Sequence, residues 1–451
     1  HKYLIAATMR ADGSTKFAPG NQWGYFPSVS GAWVLSREGF LENNALISNL
    51  KLRAAIGLAG NNRIDDDQWR FLYSVNATGG PGFGEATQYG EQWFSVSDGK
   101  KFPNTKIKWE TTLTRNVALD ISLFGDRLTI TPEFYWNTTK DLLYESVIPS
   151  TMGFTKQMQN IGQVTNKGIE LSINGDILRG KDYVLSANFT FGMNKMKIDK
   201  LNDTDDILWI LDDRWKPDYD NYCLRVGDQV GLIYGFVYDG LYSPDEFYFD
   251  PTQNFLAVPN EGTVINTIYQ DSNSGAATLP GKIKFKDLDG SGAIDGGKGT
   301  ADDHGDLKVI GNSLPRYEYS FHLGGSWKGI DLDLFFQGVG KRSDWTIASL
   351  NFPMMRSADL AVYEHQSSYN RVFYSDDWKT ITGYDINQGN TYPRLYPGNE
   401  AKGTVSGIAN GSNNYYPQSR YLTDMSYLRL KNVTVGYTLP KEWTRKAFIE
   451  K

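Results

Sequence analysis

The sequence predicts an all-β protein, a transmembrane antiparallel β-barrel with long loops. Three observations predict it. Apolar residues recur with period two in segment after segment, and helical three-four spacing is scarce. The connections are of two kinds, very short and very long. Aromatic residues make up 14% of the 451 residues and gather toward the ends of the alternating segments. Mean hydropathy is −0.45, and no run approaches the roughly 18 apolar residues of a spanning helix. That value does not speak against a barrel, whose strands alternate lipid-facing and lumen-facing residues and so average out as neutral.

The elements follow in order. The chain opens directly in a strand-like stretch from His1 to Met9, as expected of an interior piece of a longer protein. In 50–58, Leu50, Leu52, Ala54, Ile56 and Leu58 alternate with Lys51, Arg53, Ala55 and Gly57. From Trp109 the apolar series is Leu113, Val117, Leu119, Ile121 and Leu123, opposite Glu110, Thr112, Thr114, Asn116, Asp120 and Ser122. Leu128, Ile130, Phe134 and Trp136 then oppose Thr129, Thr131, Glu133 and Asn137. Ile169, Leu171 and Ile173 face Glu170, Ser172 and Asn174, and Leu185, Ala187, Phe189 and Phe191 face Ser186, Asn188 and Thr190. Toward the end, Tyr317, Tyr319, Phe321, Leu323 and Trp327 oppose Glu318, Ser320, His322 and Ser326. Ile330, Leu332, Leu334 and Phe336 oppose Asp331, Asp333 and Gln337. In all, about a dozen strands are expected.

Phe124-Gly125-Asp126-Arg127 and Trp327-Lys328-Gly329-Ile330 read as tight hairpin turns built on Gly. Against them stand long stretches rich in Asn, Asp, Gly, Ser and Tyr at about 60–106, 197–230, 241–312 and 340–424. A compact soluble domain rarely carries several such loops. Tyr25, Phe26 and Trp33, and Tyr135, Trp136 and Tyr144, are expected at the membrane–water interface, where an apolar body with a polar tip is at home. The rival fold is a soluble β-sandwich or propeller with aromatics in its core.

Several function classes are excluded. A net charge of −6 and a pI near 5.4 argue against nucleic acid. Cys223 has no partner for a disulfide and no nearby His. The four His residues form no HExxH pattern, and no G-x-S-x-G occurs. Carboxylate runs such as Asp65-Asp66-Asp67 and Asp212-Asp213 read as solvated loop charges, so the chain is not expected to be an enzyme. Gly292–Gly299 falls one residue short of a P-loop, because Gly299 stands where Ser or Thr must hold Mg²⁺.

One local site is sharper. Asp287-Leu288-Asp289-Gly290-Ser291-Gly292-Ala293-Ile294-Asp295 matches the first nine positions of an EF-hand-like Ca²⁺ loop. Side-chain oxygens would come from Asp287, Asp289, Ser291 and Asp295 and a carbonyl from Ala293, with Gly292 at the sharp turn. Position 12 is Lys298 rather than Glu, so Asp302 or Asp303 is expected to supply the missing carboxylate. For substrate, the candidates are loop aromatics able to stack on an apolar ring face: Trp69, Trp93, Trp209, Trp215, Tyr219, Tyr222, Tyr415 and Tyr416.

The stretch Arg10-Ala11-Asp12-Gly13-Ser14-Thr15-Lys16-Phe17 with Trp23-Gly24-Tyr25-Phe26-Pro27-Ser28-Val29-Ser30-Gly31-Ala32-Trp33 resembles SusC/RagA-type TonB-dependent transporters. Further similar pieces follow in the family's order: Leu50-Lys51-Leu52-Arg53 with Gly57 and Gly60-Asn61, Trp109-Glu110-Thr111-Thr112, and Asn160 to Leu171. After these come Tyr234 to Tyr242, Asp287-Leu288-Asp289-Gly290 with Ile310-Gly311-Asn312, Phe335-Phe336-Gln337-Gly338 and Tyr427 to Tyr437. The resemblance covers nearly the whole chain. It implies part of a 22-stranded outer-membrane barrel of Bacteroidetes, with residues 1–451 as a partial barrel domain. The N-terminal plug and the final strands would lie outside the chain. It further implies uptake of oligosaccharides or peptides with a SusD-like surface lipoprotein, energy from TonB through the N-terminal part, and contact with outer-membrane lipid. The alternative is a surface-exposed β-rich glycan-binding module without transport activity, and a more distant one a barrel-embedded hydrolase.

Overall fold

The computed structural model describes residues 1–42, 44–70, 73–75, 86–89, 92–96, 101–149, 151, 154, 156–201, 207–211, 220–250, 256–268, 278, 280–300, 302–346, 371–374, 381–385, 416–440 and 443–444. Ten long strands form one antiparallel sheet in strict chain order. They are β1 (Tyr3–Gly13), β2 (Trp23–Val34), β3 (Ile47–Asn61), β4 (Glu110–Leu123), β5 (Leu128–Lys140), β6 (Gln163–Arg179), β7 (Tyr183–Lys200), β8 (Tyr317–Trp327), β9 (Ile330–Gly340) and β10 (Tyr427–Tyr437). Every strand proposed from alternation is among them.

Sequential antiparallel pairing puts alternate connections at opposite rims. At the lower rim lie residues 35–46, 124–127, 180–182 and 328–329; at the upper rim lie 14–22, 62–109, 141–162, 201–316 and 341–426, and the last four are longer than any connection at the lower rim. The short turns are sharp because Phe124 and Asp126 flank Gly125 at positive φ, as Lys328 does Gly329. One row of paired residues shows the tilt of the sheet. It runs Leu4, Ala32, Arg53, Ala118, Glu133, Glu170, Gly192, Glu318, Val339, Tyr427. Leu4 stands near the bottom of β1 and Tyr427 is the top residue of β10, so the row climbs the sheet from rim to rim. That stagger is what a closing barrel requires.

The two faces separate as alternation dictates. One carries Ile5, Met9, Val29, Ile56, Val117, Phe134, Ile169, Met193, Phe321, Leu332, Val433 and Val435, all exposed, with Ile5 at 85% and Val435 at 72%. Side chains this apolar and this bare are suited to lipid. The other face presents Arg53, Asp120, Glu133, Thr190, Glu318 and Ser320. At the lower rim Tyr3 stacks on Trp33 with centroids 6.2 Å apart, and both donate to Glu38 at 3.0 Å. Tyr183, Trp327 and Tyr437 continue that aromatic belt, all exposed.

Two interface expectations are corrected. Phe26 is 7% exposed and lies on the inner face, where its ring meets Trp109 at 5.5 Å. Tyr135 also falls on the inner face and covers Gly168. In each case the neighbour on the chain, Tyr25 or Trp136, takes the outer face; a dipeptide of aromatics cannot place both rings on one side of a strand.

The loops hold structure of their own. Residues 207–312 include a four-stranded sheet of Ile207–Leu211, Asp220–Arg225, Leu232–Gly235 and Lys308–Asn312. Around Ile233, Phe236, Ile283, Phe285, Ile294, Trp345, Tyr416 and Tyr421 a buried core forms above the barrel wall. The connection from β5 to β6, absent from the expected long loops, is also long and carries a hairpin of Leu143–Val147 and Lys156–Asn160.

Candidate functional site

Three places gather chemistry. The first is the inner wall itself, a cleft of about 580 Å³ lined by Glu133, Glu170, Thr190, Glu318, Ser320 and Gln337. Beside it Arg53 binds Asp120 through two parallel hydrogen bonds of 2.8 and 2.9 Å and reaches Glu133 at 4.0 Å. Asn116 Nδ2 donates to Glu133 Oε1 at 2.7 Å. The wall is thus polar, hydrogen-bonded and acidic, built from the even positions of β6, β7 and β8 and the odd positions of β5 and β9.

The second is a cleft of about 680 Å³ at the upper rim, with Trp69, Phe102, Asn104, Lys108, Gln157 and Asn160 in its lining. Trp69 Nε1 donates to the Thr15 carbonyl at 3.3 Å, and the Arg70 guanidinium lies 4.3 Å from the ring centroid. Asn104 and Asn160 hold the walls by donating to carbonyls of Met158, Lys108 and Asp141. Among the described side chains, Trp69 is the candidate aromatic that the fold leaves at a cleft.

The other aromatic candidates separate. Tyr416 is 4% exposed and packs edge-on against Phe236 at 6.1 Å, inside the loop core. Tyr222 packs against the same core. These two rings support the loop rather than face its surface, since an apolar loop module of this size needs aromatics to fill it. Trp93 lies in the short strand Gln92–Val96 and Trp209 in Ile207–Leu211, with their side chains outside the described residues. Trp215, Tyr219 and Tyr415 lie outside the described residues altogether. Cys223 is buried, and burial, against the nearby charge of Arg225, pushes its thiol up to about 12, so it is not a reactive thiolate.

The third place is the acidic loop. Asp287 accepts from the Gly290 and Gly292 amides at 2.7 and 2.8 Å, and Asp289 accepts from the Ser291 amide at 2.9 Å. Ser291 Oγ donates to the Ala293 carbonyl at 2.8 Å. Gly290 and Gly292 both sit at positive φ, as a loop of this curvature needs. Carboxylate oxygens of Asp287, Asp289 and Asp306 lie within 4.8 Å of one another. Asp306 is fully buried and accepts from the amides of Leu288 at 2.6 Å and Asp295 at 3.0 Å.

Sequence reasoning assigned the completing carboxylate to Asp302 or Asp303. The structure brings Asp306 instead, while Asp302 is exposed and Asp303 pairs with Lys298 at 3.4 Å. Asp295 uses Oδ1 on the Gly297 amide at 2.7 Å. Asp306 stands beyond the EF-hand spacing; the signal for it was the apolar Leu307 beside it, marking a return into the loop core. Burial raises the Asp306 carboxyl above its usual range, the two amides oppose this, and the charges of Asp289 and Asp287 add to it. Asp289 is lowered by its bonds from Ser291.

Lipid-suited outer face, polar inner wall and loops massed at one rim define an outer-membrane β-barrel. The profile of the TonB dependent receptor-like, beta-barrel family matches residues 2–233, and the chain belongs to that family. It is 31% identical over its whole length to TonB-dependent receptor P3 of Formosa agariphila and 27% identical over 99% of its length to TonB-dependent receptor SusC of Bacteroides thetaiotaomicron. Those matches span 38% and 37% of the relatives' own lengths. Among solved structures it is similar to the RagAB peptide transporter, with a TM-score of 0.68 at 21% identity over 98% of this chain and 40% of that one. The family is one of outer-membrane receptors, and within it this chain is similar to SusC in sequence and to the RagAB peptide transporter in fold.

Proposed function

We propose that these residues form part of the wall and outer loops of a TonB-dependent importer for oligosaccharides or peptides, working with a SusD-like surface lipoprotein. The observation that carries it is the continuous polar inner wall, overhung at one rim by loops with their own core and a Trp69 cleft. A solute entering from that rim meets mainly hydrogen-bonding groups, with the Phe26 and Phe335 rings among them and most aliphatic side chains turned away. The resemblance to SusC and to the RagAB peptide transporter supports the same reading. Coupling to TonB would involve parts of the protein outside residues 1–451, which act here as a partial barrel domain.

Deleting the gene for the full-length protein tests this. Loss of uptake of one glycan or peptide class, restored by the wild-type gene, and co-purification of a surface lipoprotein are expected. Surface binding of glycan that persists without any energy-dependent uptake would leave the glycan-binding module instead.

We also propose that the acidic loop takes Ca²⁺ in a structural role, with Asp287, Asp289 and Asp306 as its carboxylates. The support is their mutual approach within 4.8 Å in a loop whose Gly turns and Ala293 carbonyl follow an EF-hand start.

A further inference from the structure

Above the outward apolar band of β4 to β7 lies a row of cations that the import reading does not use. On β4, Arg115 is one outward position above Val117; on β5, Trp136 follows Phe134. On β6, Lys167 precedes Ile169, and on β7, Lys195 and Lys197 follow Met193. Strand alternation therefore puts Arg115, Trp136, Lys167, Lys195 and Lys197 on the lipid side. The pairing register joins them: Lys167 is opposite Trp136 on one side and opposite Lys195 on the other. Arg115 Nε donates to the Trp136 carbonyl at 3.0 Å, with its guanidinium 5.4 Å from the ring.

Two ammonium groups directly opposite each other repel. Elsewhere in this chain the same situation is neutralised. Lys101 is opposite Lys156 in the loop sheet, and Glu145 lies between them, 3.1 Å from each ammonium. Lys167, Lys195 and Lys197 are exposed, and none forms an ion pair among the described residues. The acidic residue of the same strand, Asp199, is already held by Gln163 at 3.0 Å and Thr165 at 2.5 Å. Among the described residues the Arg115 side chain likewise bonds only the Trp136 carbonyl and the Thr138 hydroxyl.

We infer that Arg115, Lys167, Lys195 and Lys197 bind the phosphorylated head group of an outer-leaflet glycolipid, its acyl chains lying along Val117, Phe134, Ile169 and Met193. The site stands at the rim that carries the long loops, which in an outer-membrane barrel is the outside. There the cations meet anionic head groups while the next residues down meet alkyl chains. Two lysines in register with an arginine match a phosphate better than a neutral sugar, because the anion removes the repulsion that the fold leaves in place. The inference rests on the outer-membrane placement and not on the import reading, so the two can fail separately.

The test uses the full-length protein purified from outer membranes in mild detergent. Phosphorylated glycolipid retained per protein is measured by native mass spectrometry, for wild type and for Lys167→Gln/Lys195→Gln. At least a fivefold lower retention in the variant is expected, with normal heat-modifiable migration showing an intact barrel. Lys167→Arg/Lys195→Arg should retain the lipid, and Lys328→Gln at the opposite rim should not change it. Re-addition of the same glycolipid after enzymatic dephosphorylation should fail to bind. Equal retention in the charge-removing variant, equal binding of the dephosphorylated lipid, or preference for inorganic phosphate alone would each overturn the inference. If the Gln variant migrates as unfolded, the comparison of phosphorylated with dephosphorylated lipid on the wild type decides it.

Discussion

The ring of Phe26 on β2 lies directly over Gly60 on β3: a Cβ added at Gly60 would stand 2.0 Å from the ring's Cζ. The same ring excludes a side chain at Gly24, where the distance is 2.5 Å. Both glycines are extended rather than left-handed, so the requirement comes from the ring and not from backbone conformation. Gly60→Ala is therefore expected to destabilise the barrel by about 1–3 kcal/mol through overpacking. Unfolding of the detergent-purified full-length protein in denaturant measures it. Phe26→Leu in the Gly60→Ala background should recover part of the loss; a single variant as stable as wild type would show that the ring moves aside freely.

That contact shows what the sequence could and could not disclose. Phe26 and Gly60 were both visible, in two separate stretches that resemble one family, but nothing in either stretch says that they touch. Strands were legible because period two is a local property: Leu113 to Leu123 and Tyr317 to Trp327 emerge nearly as read. The facing of isolated aromatics was less so, and Phe26 and Tyr135 were assigned the wrong side because composition alone does not fix parity. Least legible were the loops. Tyr234, Phe236 and Tyr242 are core residues of the upper module, yet in the sequence their stretch stands out only as one piece of the family resemblance. Asp306 escaped for the same reason. Its place beside Asp287 is set by long-range pairing of the loop, with the Leu288 and Asp295 amides as anchors, and not by any spacing from Asp287.

On the inner wall, Arg53 and Asp120 form a two-bond pair across β3 and β4. Both are partly exposed, at 37% and 24%, so solvent weakens the attraction while the fork geometry favours it. A double-mutant cycle with Arg53→Ala and Asp120→Ala is expected to give a coupling of about 1 kcal/mol. High salt should reduce it. A coupling near zero would mean that water, rather than Asp120, serves the guanidinium.

Lys101 at the upper rim ties Asp65 at 2.9 Å and Glu145 at 3.1 Å, and Glu145 also holds Lys156. Lys101 holds the Asp65 carboxyl below its usual range. For Glu145, burial pulls upward, but Lys156 and Lys101 outweigh it and the net shift is downward. A depressed carboxyl contributes stability that is complete above its unfolded value and lost as pH falls through its folded one. The rim sheet of Lys101–Phe102 with Lys156–Asn160 should thus stay closed at neutral pH and open as pH falls below the ordinary carboxylate range. Hydrogen exchange of the 156–160 amides, corrected for intrinsic rates, reads this out. Lys101→Met should show faster exchange already at neutral pH; unchanged protection would assign the sheet's stability to its backbone bonds.

The acidic loop gives the last test. If Asp287, Asp289 and Asp306 are the carboxylates of a Ca²⁺ site, three anions, one of them buried, stand close together without a cation, and Ca²⁺ relieves that repulsion. Without the bidentate Glu of a complete EF-hand, the affinity should be that of extracellular modules, about 10⁻⁴–10⁻³ M. Calorimetric titration of the EDTA-treated full-length protein with Ca²⁺ should show saturable heat. Asp306→Asn keeps acceptance from the Leu288 amide while removing the charge, and should weaken binding at least about tenfold, or about 1.4 kcal/mol. Asp302→Asn, at an exposed position outside the cluster, should leave it unchanged. Equal loss in both variants would point to diffuse loop charge, and no heat at millimolar Ca²⁺ would remove the metal from the loop and leave Asp306 as a structural acceptor for the two amides.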